Sequence, residues 1–125
     1  ANPGRLVSYF LSRDLKESGR FKAVLPGDSR VAPAFVVEGT VDEFLEVAGN
    51  DNGQAFLAVS IVLLDENQTD ISQKVLFQKT YRTRQPYEQT HPRALAAAMS
   101  LAMSKISLSI VDDLFNNLAA RNTLK

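Results

Sequence analysis

Apolar positions near the start of the chain recur at helical spacing. Leu6, Val7, Phe10, Leu11 and Leu15 share one arc, with Arg13, Lys16 and Arg20 outside it. Asn2 is placed to cap this helix, Pro3 suits its first position, and Gly19 suits its end. Asp14 projects into the arc with no base three or four residues away, so a carboxylate at the core rim, paired with a distant base, is expected. Phe21 to Leu25 then reads as a short strand, ended by Pro26, Gly27 and Asp28. Beyond Pro33 the period is two: Phe35, Val37, Gly39 and Val41 alternate with Val36, Glu38, Thr40 and Asp42, a strand reaching about Val47. Phe44 and Leu45 break the alternation and predict a bulge near Glu43.

The cluster from Gly49 to Gly53 holds residues that tolerate positive φ and predicts a hairpin. From Ala55 to Leu64, Leu57, Val59, Ile61 and Leu63 fall on one face. The other face, with Phe56, Ala58, Ser60, Val62 and Leu64, is only partly polar. A polar connection from Asp65 to Gln73 leads to a third long strand, Lys74 to about Thr83, which completes an antiparallel meander.

Thr90-His91-Pro92 opens a final helix running to about Arg121. Its main stripe is Leu95, Met99, Ala102, Met103, Ile106, Ile110 and Leu114; a second holds Ala97, Leu101, Leu108 and Phe115. Two apolar stripes need two neighbours. The sheet supplies one and the first helix is the expected other; the alternative sets Leu101, Leu108 and Phe115 against a partner subunit. The expected fold is an α+β two-layer sandwich: about four strands, mainly antiparallel, with two helices on one face. The opposite face would carry Glu38, Thr40, Asp42, Gln78, Thr80 and Arg82. One domain is expected over residues 1–121, with a frayed tail at 122–125.

Composition narrows the function classes. Lys+Arg and Asp+Glu both number 14, so the basic excess usual in a nucleic-acid binder is missing. There is no Cys, which excludes disulfides and thiol chemistry within these residues. No signal-like start is visible, and no apolar run is expected to be long enough for a bilayer.

Chemical motifs are few. His91 is the single histidine, and its place beside a helix start explains it structurally. No Ser lies in a G-x-S-x-G elbow. Glu38, Asp42 and Glu43 lack the spacing of a calcium loop, and Gly27, Gly39, Gly49 and Gly53 do not form a phosphate cradle. Tyr81, Arg82, Arg84 and Tyr87 are the nearest approach to a base-stacking surface, but the neighbouring strands bring carboxylates to that face. No catalytic residue, metal site or cofactor is expected; a binding or assembly module is.

Four stretches carry a resemblance. They are Leu15-Lys16-Glu17-Ser18-Gly19-Arg20-Phe21-Lys22-Ala23-Val24, the strand Phe35 to Phe44, the strand Val75-Leu76-Phe77-Gln78-Lys79-Thr80-Tyr81, and the Ala-rich start of the last helix, Ala94 to Met99. In these, and in the order of its elements, the chain resembles the ABC-type transport auxiliary lipoproteins, whose PqiC-like members accompany lipid transporters containing MCE domains. The resemblance implies a non-enzymatic accessory in the periplasm, anchored to the outer membrane by a lipidated N-terminus and contacting an MCE-domain protein. It also implies that these residues are the C-terminal two-thirds or so of a longer lipoprotein, leaving a sheet edge open for a second copy. The rival expectation is a lipid-binding module, with an acyl-chain pocket between helices and sheet lined by Phe56, Met99 and Met103.

Overall fold

Asn2 accepts hydrogen bonds from the backbone N–H groups of Gly4 (2.9 Å) and Arg5 (3.4 Å), and Pro3 occupies the first turn. The helix so started, α1 (Pro3–Glu17), ends where Gly19 takes a φ of 67°, the left-handed conformation glycine adopts without strain. The computed structural model describes residues 2–89 and 91–123. After α1 come β1 (Phe35–Ala48), β2 (Asn52–Asp65), the short α2 (Ile71–Lys74), β3 (Val75–Glu88) and α3 (Ala94–Thr123). The sheet is antiparallel in the order β1-β2-β3. Among the described residues it therefore has three strands, not about four, and the helices number three.

The missing strand is the one expected at Phe21 to Leu25. A strand exists only through its pairing, and this segment is drawn to α3 instead. Phe21 packs edge-to-face on Phe115 with ring centroids 6.3 Å apart. Arg20 lies over the same ring and reaches Asp112 at 2.7 Å. The added helix, α2, interrupts what reads as a polar connection: Asp70 caps it by accepting from the Ser72 N–H and hydroxyl. Those two bonds, the backbone one first, hold the Asp70 carboxyl below the ordinary aspartate range.

β1 and β2 form where the alternation places them, and the register slips between Val41 and Glu43, leaving Asp42 as the bulged residue. The hairpin also falls at the glycine cluster, although no described residue in it has positive φ. Its glycines provide room instead. The Gly49 N–H donates to the Asn52 carbonyl at 2.8 Å, and Gly53 lies beneath the ring of Tyr87, its partner across the ladder. β3 runs five residues past its expected end because β2 continues to pair with it as far as Asn52↔Glu88. Pro86 is tolerated there because β3 is an edge strand.

At about 3.3 Å per residue a 14-residue strand spans roughly 46 Å, and a 30-residue helix rising about 1.5 Å per residue spans roughly 45 Å. A single helix can thus cover the full length of β2, and α3 does. Leu57, Val59, Ile61 and Leu63 pack with Ala102, Met103, Ile106, Ile110 and Leu114, and Val7 of α1 joins them. Three polar pins fasten α3 along β3: Lys105 to Gln85 (2.9 Å), Asp113 to Tyr81 (2.5 Å), and Arg121 to the Leu76 carbonyl (2.8 Å). α3 begins at Ala94 rather than at Thr90-His91-Pro92, since Pro92 lies in a turn closed by the Ala94 N–H on the His91 carbonyl. Thr90 itself lies outside the described residues. The tail expected to fray from Asn122 meets a helix continuing to Thr123; Leu124 and Lys125 also lie outside the described residues.

Contrary to expectation, α3 is long and apolar enough to cross a membrane by length and composition. Its apolar content is used at least in part by the sheet, since Ala98, Met99, Ala102, Met103, Ile106, Ile110 and Leu114 are all buried. Ser107 is buried among these turns, and its hydroxyl has no hydrogen-bond partner among the described residues. Ser107→Ala removes an unpaired polar atom and installs a better helix former. A gain of about 0.5–1 kcal/mol is expected, read as a higher urea midpoint at unchanged slope.

Candidate assembly surface

The sheet face away from the helices is left uncovered by the core elements. Along its middle runs a polar row across all three strands. Asp42 follows Glu38 and Thr40 onto this face, and its carboxylate accepts from the Ser60 hydroxyl and from Thr40 Oγ1 at 3.1 Å; the bulge brings Glu43 to the same side. Ser60 and Thr80 hydroxyls meet at 2.8 Å. In the next row Glu43, Ala58 and Arg82 lie side by side. Ala58 is only 1% exposed although no helix covers it, because Glu43 and Arg82 reach over it to within 3.8 Å of each other. The exposed ion pair contributes little energy. Its consequence is geometric: the middle of the face is polar and covered by long side chains.

Toward the β1–β2 hairpin the face becomes apolar. Val47, Gln54, Phe56, Arg84 and Pro86 line an open hollow of about 750 Å³. A smaller hollow of about 380 Å³ lies between the end of β3 and the start of α3, with Tyr87, His91, Arg93 and Leu101 in its lining. His91 is exposed there. No group of three His, Asp or Glu among the described residues could hold a metal ion.

The three residues of the expected acyl-chain pocket are not brought together. Met99 and Met103 are buried in the core on the helix side of the sheet. Phe56 has the opposite parity to Leu57 and Val59, so it stands on the open face beside Leu45 and Arg84. Period two decides this: neighbours on a strand cannot line the same side.

The second stripe of α3 also divides. Leu101 is 44% exposed and Leu108 57% exposed, so α1 does not cover them as expected. α1 packs on another sector of α3, and Phe115 is covered by Phe21 and Arg20 from the segment that follows it. Residues seven apart on a straight helix drift by about 20°, enough to carry Phe115 round to that cover and leave Leu108 in solvent. Asp14 finds its base next door: Arg13 Nη2 lies 3.1 Å from Oδ1, while Oδ2 is buried with no hydrogen-bond partner among the described residues.

One buried polar group escapes sequence reasoning. Tyr81 sits in the core at a period-two position, and its hydroxyl donates to Asp113 Oδ2 at 2.5 Å. Lys79 Nζ donates to the same oxygen at 2.9 Å and lies 4.8 Å from the Tyr81 ring centroid. Burial, and then the Asp113 carboxylate, push the Tyr81 phenol well above its ordinary range. The Tyr81 hydrogen bond, with Lys79 assisting, lowers Asp113. Nothing in the spacing of residues 81 and 113 announces this contact. It fastens strand to helix.

Fold and surface together define an α+β domain with helices on one sheet face and the other face open, and among the described residues no further strand pairs with β1 or β3. No family model and no curated protein matches the chain. Solved structures do. Protein XCC0632 from Xanthomonas campestris, of family DUF330, is 19% identical with a TM-score of 0.79 over 97% of this chain. A candidate lipoprotein from Caulobacter crescentus is 17% identical (TM-score 0.60, 92% of this chain and 85% of that one). The protein CT253 from Chlamydia trachomatis is 15% identical (TM-score 0.63, 96% and 87%). At these identities the likeness establishes the fold alone. This chain spans 65% of the length of the Xanthomonas protein.

Proposed function

We propose that this chain is the non-enzymatic docking module of an ABC-type, MCE-associated lipid transport system. In the full-length protein a lipidated N-terminus would hold it at the outer membrane, facing the periplasm. The observation that carries the reading is the fold shared over 97% of the chain with a DUF330 protein and over 92% with a candidate lipoprotein. The four sequence stretches resembling the auxiliary lipoproteins point the same way. The mechanism is tethering: one end binds the membrane and the other offers a rigid surface to the transporter, so two weak attachments act as one strong one. The polar row and the apolar patch at Leu45, Val47 and Phe56 supply the mixture of polar and apolar contacts that protein interfaces use.

The test is co-purification. Full-length lipidated protein is expected to recover its MCE-domain partner from detergent-solubilised envelopes, while the isolated domain shows no hydrolase or transferase turnover. Failure to recover the partner from intact, lipidated protein overturns the docking reading. A lipid carrier would instead bring phospholipid with it in native mass spectrometry. That reading has lost its lining residues, since Met99 and Met103 are core and Phe56 is not beside them.

A further inference from the structure

The outward side of the helix layer sets cations beside exposed apolar side chains and is poor in carboxylates. α1 and α3 pack on one face of the sheet, where Val7 shares a core with Ile106, Ile110, Leu57 and Val59, so both helices turn their other sides to solvent. On α1, Arg5, Tyr9 and Lys16 fall opposite the buried Val7 and Asp14 by helical spacing, and all three are exposed, Tyr9 to 64%. On α3 the exposed apolar residues are Leu101 and Leu108. No Asp or Glu occurs from Pro3 to Arg13 or from Ala94 to Val111. Neither Arg5 nor Lys16 has an ion-pair partner among the described residues. Most of the acids next along these helices are occupied. Asp14 is buried beside Arg13, Asp112 is held by Arg20 at 2.7 Å, and Asp113 turns to Lys79 and Tyr81 of β3. Glu17, exposed on the last turn of α1, is the exception.

We propose that this side of the helix layer rests on a bilayer surface bearing anionic phospholipid headgroups. Charge complementarity selects the occupant. Arg5 and Lys16 are free to meet headgroup phosphates, and the scarcity of carboxylates around them removes the repulsion that would oppose the approach. Tyr9 joins an apolar ring to a hydroxyl, the form that settles at headgroup level, and Leu101 and Leu108 face the acyl boundary. Lying in that plane also suits α3, which is apolar enough by composition to cross a bilayer yet is buried along one side in the sheet. The whole chain is neutral, so the attraction is local and it orients the domain. The open sheet face, where Glu38, Asp42, Glu43 and Glu88 outnumber Arg82 and Arg84, is turned away from the lipid and left to a protein partner. The inference stands whether or not the MCE docking reading holds, because bare lipid tests it.

Co-sedimentation of this chain with vesicles is the test. Binding is expected to vesicles of phosphatidylcholine mixed with phosphatidylglycerol, to be absent from phosphatidylcholine alone, and to weaken as salt is added. Arg5→Gln with Lys16→Gln is expected to cut partitioning roughly 25-fold, about fivefold for each cation, with an unchanged far-ultraviolet circular dichroism spectrum. The chain has no Trp, so Leu108→Trp and Gln78→Trp each place a single reporter, one on the helix layer and one on the open sheet face. Emission from position 108 is expected to shift to the blue on vesicles, while that from position 78 stays put. Wild-type protein that ignores phosphatidylglycerol at low salt overturns the proposal. So does binding that the Arg5 and Lys16 changes leave intact, or a blue shift at 78 in place of 108. A shift at 108 that grows with protein concentration and needs no vesicles gives the stripe to a second copy, and overturns it as well. Should a variant fail to fold, the lipid and salt dependence of the wild type decides alone.

Discussion

Ile110→Ala is expected to lower the free energy of unfolding by about 3 kcal/mol, whereas Leu108→Ala, two residues away, changes it by less than about 0.5 kcal/mol. Ile110 is fully buried, within the cluster that joins α3 to Leu57, Val59, Ile61 and Leu63 of β2. Alanine there removes three carbon atoms from a site that both a sheet and a helix hold rigid. The cost is therefore the lost transfer energy plus a cavity that relaxes only partly. Leu108 is 57% exposed and loses little beyond a slight change in helix propensity. A domain of this size is held by roughly 5–15 kcal/mol, so the Ile110 change consumes a fifth or more of the total. Urea titration followed by circular dichroism reads both: the midpoint shifts well down for Ile110→Ala, and stays in place for Leu108→Ala at the same slope. Equal effects would mean that the exposed stripe is covered in the free protein, and the exposure of Leu101 and Leu108 could no longer be offered to a partner.

The contrast between those residues also marks how far sequence carries. The stripe through Met99, Met103, Ile106, Ile110 and Leu114 repeats at helical spacing, and every one of these residues is buried. The cap at Asn2, the bulge at Asp42 and the buried side of β2 were legible for the same reason: each follows from local chemistry or from a period set by backbone geometry. The open face was legible too, since Glu38, Thr40, Asp42, Gln78, Thr80 and Arg82 lie on it as their parity requires. What depended on a distant partner was not. Phe21 belongs to α3 because Phe115 is there, and β3 persists through Pro86 because β2 continues opposite it. Phe56 was grouped with Met99 and Met103 by size and softness, properties that disregard which side of a strand a residue takes.

Tyr81→Phe is the second change with a large expected effect, a loss of about 2 kcal/mol at neutral pH. The phenol is buried in the core cluster while its hydroxyl meets a charged acceptor on α3, so the bond links layers rather than neighbours. Removing it leaves Asp113 with Lys79 alone, and Lys79 is half exposed and held only by its own flexible stem. Charge-assisted hydrogen bonds of this kind are worth more than neutral ones, and the half-buried setting keeps water from replacing the lost donor fully. The pH dependence gives the mutation a signature that simple loosening would not have. In the folded state the Tyr81 phenol is raised above the ordinary tyrosine value, so its share of stability is intact below about pH 10 and is lost progressively above it. Asp113 is lowered, chiefly by the Tyr81 hydrogen bond, so its share is present above about pH 4 and is lost as pH falls through the folded value. Tyr81→Phe should therefore flatten both limbs of the stability profile, the alkaline one because the titrating phenol is gone and the acid one because Asp113 returns toward its ordinary range. Asp113→Asn should flatten the acid limb and leave a weakened alkaline one. Thermal unfolding across pH separates these outcomes. A uniform drop at every pH, with both limbs unchanged, would mean that Tyr81 acts through its ring alone and that the strand-to-helix bond contributes nothing to holding α3 against β3.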